Sequence, residues 1–249
     1  MTNILILGGT TEASGLATAV AQKGLRAVLS YAGRTERPRA QPVPVRIGGF
    51  GGVEGLVHYL RQERVTHLVD ATHPFAATMS RHAAQAAQIA GVRHIMLTRP
   101  PWEAGEGDRW HHVPDIAGAV AALDGGARRV MLALGRMHVD AFTAQPQHDY
   151  LLRFVDAPDI APTLPSHRLV VDRGPFTLEG DLALMREYRV ELVVAKNAGG
   201  VGARAKLDAA RVLGIAVLMI DRPPLPLART THSVADVIEW LDHSAQRGV

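Results

Sequence analysis

Asn3-Ile4-Leu5-Ile6-Leu7 runs into Gly8-Gly9, and Thr10-Thr11-Glu12-Ala13 then opens a stretch with Ala and Leu at helical spacing. That order predicts a buried strand, a tight turn and a helix start. An apolar strand that feeds a helix so directly belongs in a parallel sheet with helices packed on its faces. The first N–H groups of such a helix have no internal partner, and the helix dipole is positive there. The turn is therefore a natural seat for a phosphate.

The same rhythm recurs along the chain. Leu25–Tyr31, Val43–Ile47, Val65–Ala71 and Arg93–Arg99 read as strands, with helices over 53–63 and 77–90. Residues 100–112 are polar and turn-rich, and a helix over 116–123 leads to Gly125-Gly126. Further on, Arg129–Gly135, Tyr150–Phe154, Arg168–Val171, Glu191–Lys196 and Ile215–Ile220 read as strands. Helices are expected over 178–188, 203–213 and 234–246. Short apolar runs alternating with helical stretches predict an α/β fold built from βαβ units in parallel sheets. The 249 residues give room for two such domains. We place them at 1–125 and 126–249, each doubly wound, with a cleft between them.

Composition removes several classes of function. No apolar run approaches the roughly 18 residues needed to span a bilayer. The first residues lack the basic, apolar and small-residue zones of a secretory leader, so a cytoplasmic location is expected. There is no cysteine, which excludes thiolate chemistry and disulfides. Of 27 basic residues only Lys23, Lys196 and Lys206 are Lys. The rest are Arg, the residue suited to bidentate pairing with carboxylates and phosphates. No basic run is interleaved with aromatics, so no nucleic-acid partner is expected. The 12 His form no His-x3-His or other dense ligand set, and no metal site is expected.

In the register of a dinucleotide fingerprint, G-x-G-x-x-G/A, the opening turn supplies Gly8, Thr10 and Ala13. Its second glycine is replaced by Thr, so the fingerprint is incomplete. Gly8, Gly9, Thr10, Thr11 and Glu12 are the candidate cofactor turn, with the two Thr hydroxyls available to phosphate oxygens. The second strand ends at Ser30-Tyr31 without the acidic residue that reads an NAD ribose, and Arg34 and Arg37 follow. Arginines there pair with a 2′-phosphate, which favours NADP(H). Asp70-Ala71-Thr72-His73-Pro74-Phe75 lies at a strand's carboxyl end, where ligands bind in open α/β sheets. Thr72 and His73 are cofactor candidates, and His73 is also a candidate proton donor. Lys196-Asn197-Ala198-Gly199-Gly200 is the matching loop of the second half and suits an anion. Arg136, Lys196, Gly199, Gly200 and Arg222 are its candidate substrate contacts.

Taken together, Gly8–Ala13, Asp70-Ala71-Thr72-His73-Pro74-Phe75-Ala76, Gly174-Pro175-Phe176, Lys196–Gly200 and Asp221-Arg222-Pro223 resemble the precorrin-6A reductase family of cobalamin biosynthesis. The resemblance spans nearly the whole chain, and the Asp70–Ala76 stretch is its most specific piece. It implies two Rossmann-like domains with an interdomain active site. It also implies NADPH-dependent reduction of one double bond of a tetrapyrrole macrocycle, precorrin-6A to precorrin-6B. The family's Lys-Asp-Ser-Gly is Lys196-Asn197-Ala198-Gly199 here. That takes acid/base chemistry away from positions 197 and 198 and leaves Lys196 and the backbone. A later Gly-Gly of the family is Gly202-Ala203.

A peripheral ring of carboxylates suits an Arg-rich site. The reaction also consumes a proton, whose donor is water, His73 or Lys196. The substrate is metal-free or cobalt-bearing, and the chain a monomer or small homo-oligomer. A short-chain-dehydrogenase mechanism needs Tyr-x-x-x-Lys. The residues four after Tyr31, Tyr59, Tyr150 and Tyr188 are Thr35, Glu63, Phe154 and Leu192, which argues against it. A non-catalytic NADP-binding sensor would leave the Lys196 loop without a ligand. A nucleotide-sugar transferase would have no use for arginines after the second strand.

Overall fold

The computed structural model describes residues 2–32, 40–158, 160–172, 174 and 176–246, the last three by backbone alone. The chain divides into two compact units, Met1–Pro100 with Pro224–Val249, and Pro101–Pro223.

The first unit begins with β1 (Asn3–Leu7), α1 (Thr11–Gln22), β2 (Arg26–Tyr31), β3 (Val45–Ile47), α2 (Gly52–Gln62), β4 (His67–Asp70), α3 (Ala77–Ala90) and β5 (Arg93–Leu97). All five residues of β1 are buried. Its side chains alternate between two cores, as strand geometry requires. Ile4 and Ile6 pack with Leu16, Ala17 and Val20 of α1, whereas Leu5 and Leu7 pack with Leu56 and Leu60 of α2 and with Ala83 and Ala86 of α3. The small residues of α3 let it lie close against the sheet.

The second unit holds β6 (Trp110–Val113), α4 (Ile116–Ala121), β7 (Arg129–Ala133), a 3-10 stretch at Arg136–Ala144, β8 (Asp149–Phe154), β9 (His167–Val171), α5 (Leu178–Glu187), β10 (Leu192–Lys196), α6 (Ala205–Leu213) and β11 (Ala216–Ile220). Met131, Val193, Ala195 and Met219 face Met185 of α5 and Leu207 and Ala210 of α6. The chain then returns to the first unit as β12 (Thr230–Thr231) and α7 (Val234–Gln246). Val237 and Leu241 of α7 join the core beside α1.

Among the described residues each unit carries a six-stranded sheet, in orders β3-β2-β1-β4-β5-β12 and β9-β8-β7-β10-β11-β6. Every pairing is parallel. Both sheets run outward in two directions from an inner strand, β1 in one and β7 in the other, the Rossmann-like order with a switch point beside that strand. The expected α/β architecture of two parallel sheets is therefore present. Among the described residues no helix is long and apolar enough to cross a membrane.

Two features differ from the sequence reading. Residues 110–113, read as part of a polar linker, form strand β6 along β11. Its Trp-His-His-Val sequence sits at a sheet edge, where no apolar run is needed. The units meet at 100/101 and 223/224 rather than at 125/126, because β6 joins the second sheet and β12 and α7 return to the first.

His67 links β4 to α7. Its Nδ1 lies 2.8 Å from the Thr66 hydroxyl and its ring stands edge-on to Trp240 at 5.0 Å. Burial, with Arg93 adding to it, pushes its pKa from 6.5 down to about 4. The fold therefore holds the ring neutral while the unfolded chain protonates it, so stability falls as pH drops from about 6.5 toward about 4. Urea unfolding between those values should show His67→Leu with a flatter acid limb than the parent. An unchanged slope would contradict this assignment.

Candidate functional site

In a doubly wound sheet the loops after the first strand and after the strand on its other side part company, and the crevice between them is where ligands enter. In the first unit those are the loops after β1 and β4. In the second they are the loops after β7 and β10.

After β1, Gly8 donates its N–H to Ser30 O at 2.9 Å, which keeps the chain against β2 as it leaves the sheet. A Cβ on Gly8 would stand 2.7 Å from Leu29 Cδ1. Gly9 has φ +122°, a conformation open to glycine, and no atom lies within 4 Å of where its Cβ would be. Thr10 caps α1 by accepting from Ala13 N–H at 3.1 Å, and its hydroxyl donates to Ala71 O at 2.8 Å. One side chain thus starts the helix and ties the two switch-point loops together. The amides of Thr11 and Glu12 precede the helix's first internal bonds. The carboxylate of Glu12 pairs with Arg99 at 3.3 Å. An uncapped pair of helix-start amides beside an unobstructed Gly9 fits a pyrophosphate group.

After β4, Asp70 is 2% exposed and its Oδ1 accepts from both the N–H and the hydroxyl of Thr72, at 3.0 and 2.7 Å. This closed turn fixes the path of the loop. With its proton committed to Asp70, the Thr72 hydroxyl presents lone pairs to any ligand. His73 Nδ1 accepts from Phe75 N–H at 3.2 Å. That contact leaves Nδ1 unprotonated and puts the neutral ring's proton on Nε2. Asp70 was not singled out from the sequence. The signal was there in a carboxylate ending an apolar strand two residues before Thr.

In the second unit, Gly135 leaves β7 at φ +73° and Arg136, the start of the 3-10 stretch, is exposed. After β10, Lys196 is half-buried, Ala198 N–H donates to Lys196 O at 2.7 Å, and Gly199 and Gly200 adopt φ +70° and +76°. The loop is braced from two sides. Asn197 accepts from Trp102 N–H at 2.7 Å and donates to Trp102 O at 3.0 Å, while Trp102 Nε1 donates to Gly200 O at 2.6 Å. Arg222, at the end of β11, donates to Asn197 O and Ala198 O at 2.9 and 3.1 Å. Arg222 therefore shapes the Lys196–Gly200 loop with its guanidinium. The brace through Asn197 and Trp102 was not legible in sequence, because the two residues are 95 positions apart.

Another strong cation of this unit is already neutralised. Arg153 on β8 is buried, ion-paired with Asp181 of α5 and stacked on Phe176 at 4.0 Å. Burial pushes the Asp181 carboxyl up and Arg153 pulls it down, with burial the larger effect.

The structure thus brings Gly8, Gly9, Thr10, Thr11, Glu12, Thr72 and His73 to one switch point, and Arg136, Lys196, Gly199, Gly200 and Arg222 to the other. Arg34 and Arg37 lie outside the described residues, as does Pro175 of the Gly174–Phe176 turn.

A family model described as precorrin-6x reductase CbiJ/CobK matches residues 3–242. The precorrin-6A reductase of Rhodobacter capsulatus is 56% identical over 251 aligned positions, covering 100% of both chains. That of Rhodococcus erythropolis is 48% identical, covering 99% of this chain and 100% of the relative. The cobalt-precorrin-6A reductase of Priestia megaterium is 31% identical over 96% of this chain and 97% of its own. Among solved structures, CobK precorrin-6A reductase superposes with a TM-score of 0.93 at 55% identity, over 98% of this chain and 97% of that one.

Asn197→Asp tests the brace. A carboxylate cannot donate to Trp102 O, so the variant should lose about 1–3 kcal/mol of stability at neutral pH. Facing a carbonyl raises the new carboxyl's pKa in the fold. The deficit relative to the parent should therefore shrink as pH falls, which paired unfolding curves at pH 4.5 and 7 would read. A deficit that grows on acidification would contradict the assigned hydrogen bonds.

Proposed function

The chain belongs to the precorrin-6x reductase family, and we propose that it uses NADPH to reduce one double bond of precorrin-6A, giving precorrin-6B, in cobalamin biosynthesis. The observation that carries this reading is the match over residues 3–242, joined by full-length identity of 48–56% to precorrin-6A reductases. The lower identity to the cobalt-precorrin enzyme, 31%, favours the metal-free substrate.

When bound, the reduced nicotinamide supplies the hydride, and a proton completes the reduction at the other atom of the double bond. The first unit's switch point is the proposed cofactor seat. The amides of Thr11 and Glu12 hold pyrophosphate, Gly9 gives it room, and Thr10 holds the β1 and β4 loops at fixed spacing. Thr72 accepts a hydrogen bond from a ribose hydroxyl or the carboxamide. Arg34 and Arg37 take the 2′-phosphate.

The second unit's switch point is the proposed tetrapyrrole seat. Arg136 and Lys196 pair with peripheral carboxylates. Gly199 and Gly200 turn the loop at positive φ, and Arg222 keeps that loop in shape. The proton donor is water, His73 or Lys196.

The direct test is steady NADPH oxidation that starts only on adding precorrin-6A. Oxidation without a tetrapyrrole, or none with it, would reject the assignment. Arg34→Ala with Arg37→Ala should weaken NADPH by roughly 10–150-fold while sparing NADH, from charge-assisted bonds of about 1.5–3 kcal/mol. Equal loss for both cofactors would remove the 2′-phosphate assignment. Lys196→Ala should raise the KM for precorrin-6A and leave the NADPH Kd near the parent value. Loss of NADPH binding alone would move Lys196 to the cofactor.

A further inference from the structure

Large apolar side chains left in water are unevenly placed in the second unit. Met137, following β7, is 62% exposed, Val155, following β8, 54%, Val171, closing β9, 49%, and Val201, following β10, 94%. These strands are neighbours in the order β10-β7-β8-β9, so all four residues sit at the carboxyl end of one continuous part of the sheet. With strands about 4.8 Å apart, the row spans roughly 14 Å. Among the described residues, the carboxyl ends of β1, β4 and β5 in the first unit carry no exposed large apolar side chain, and Ile47, closing β3 at 58%, stands singly there. Single exposed apolar residues are ordinary, but a row of them on one binding edge is not.

Charge lies beside the row. Exposed Arg136 precedes Met137, and half-buried Lys196 closes β10, five residues before Val201. The edge therefore offers an apolar strip with cations next to it. A flat conjugated ring carrying carboxylates on its periphery has the complementary pattern.

We infer that Met137, Val155 and Val201 form the surface on which the ring face of the tetrapyrrole lies, and that they set affinity for the macrocycle apart from its carboxylates. The inference rests on the tetrapyrrole-reductase reading and adds to it the apolar contacts. Ring contact would bury these side chains and exclude water from the ring face that they cover. Because each is exposed in the free protein, its truncation should not disturb folding, and a loss of affinity is then a loss of contact.

The test is the triple variant Met137→Ser/Val155→Ser/Val201→Ser, with Ile89→Ser and Val212→Ser as controls. Both control residues are 58% exposed and lie on α3 and α6 away from the strand ends. Precorrin-6A is titrated by its absorbance without NADPH, and NADPH by its fluorescence without tetrapyrrole. The triple variant should bind precorrin-6A roughly ten- to a hundredfold more weakly, with NADPH affinity and Tm near the parent values. The controls should match the parent in all three. Parent-like precorrin-6A affinity in the triple variant overturns the inference, and so does equal weakening of NADPH. A parent protein that binds NADPH but no precorrin-6A overturns the functional reading itself, and the inference with it.

Discussion

The hydroxyl of Thr10 is the smallest part on which the first unit depends. It accepts from Ala13 N–H and donates to Ala71 O, so one oxygen fixes the start of α1 and its distance from the β4 loop. The proposed pyrophosphate and ribose or carboxamide contacts sit on those two segments, and the arginines proposed for the 2′-phosphate follow β2. The turn's missing second glycine is thus explained physically. Thr occupies the position where the fingerprint has Gly, and spends its side chain on holding the crevice together. The helix-start amides and the unobstructed Gly9 remain to meet phosphate.

The second unit solves the same problem differently. There the β10 loop is clamped from outside, by the paired hydrogen bonds between Asn197 and Trp102, by the Trp102 indole on Gly200 O, and by Arg222 on two carbonyls. Two positive-φ glycines sit in that frame, with Gly200 O and the carbonyls of Asn197 and Ala198 held. An Asn where the resembled family has Asp is then a structural choice. At neutral pH the amide, unlike a carboxylate, both donates to and accepts from the same peptide unit.

The sequence carried the architecture well, because buried parallel strands are written as short apolar runs and these dominate both units. Asn3–Leu7 and Leu192–Lys196 fall where expected. Strand β6 was hidden because an edge strand needs no apolar run. The unit boundaries were misplaced for the same reason, and because β12 is two residues long and tells nothing locally about which sheet it joins. Local motifs put the candidate residues Gly8 through Glu12, Thr72 and His73, and Lys196 to Gly200 at the carboxyl ends of strands, where the structure has them. The braces were not legible, since Asn197 with Trp102 and Thr10 with Ala71 are contacts across the chain. The ion pair of Arg153 with Asp181 likewise removes a cation that composition alone would have counted as available.

The central claim is a division of labour, with the nicotinamide cofactor on the β1 and β4 loops and the tetrapyrrole on the β7 and β10 loops. A crystal structure with NADP and precorrin-6A both bound tests it most directly. The account predicts the pyrophosphate within hydrogen-bonding distance of the Thr11 and Glu12 amides, and the macrocycle against Met137 and Val201. A pyrophosphate on the Lys196–Gly200 loop, or a macrocycle seated over Gly8–Thr10, would contradict it.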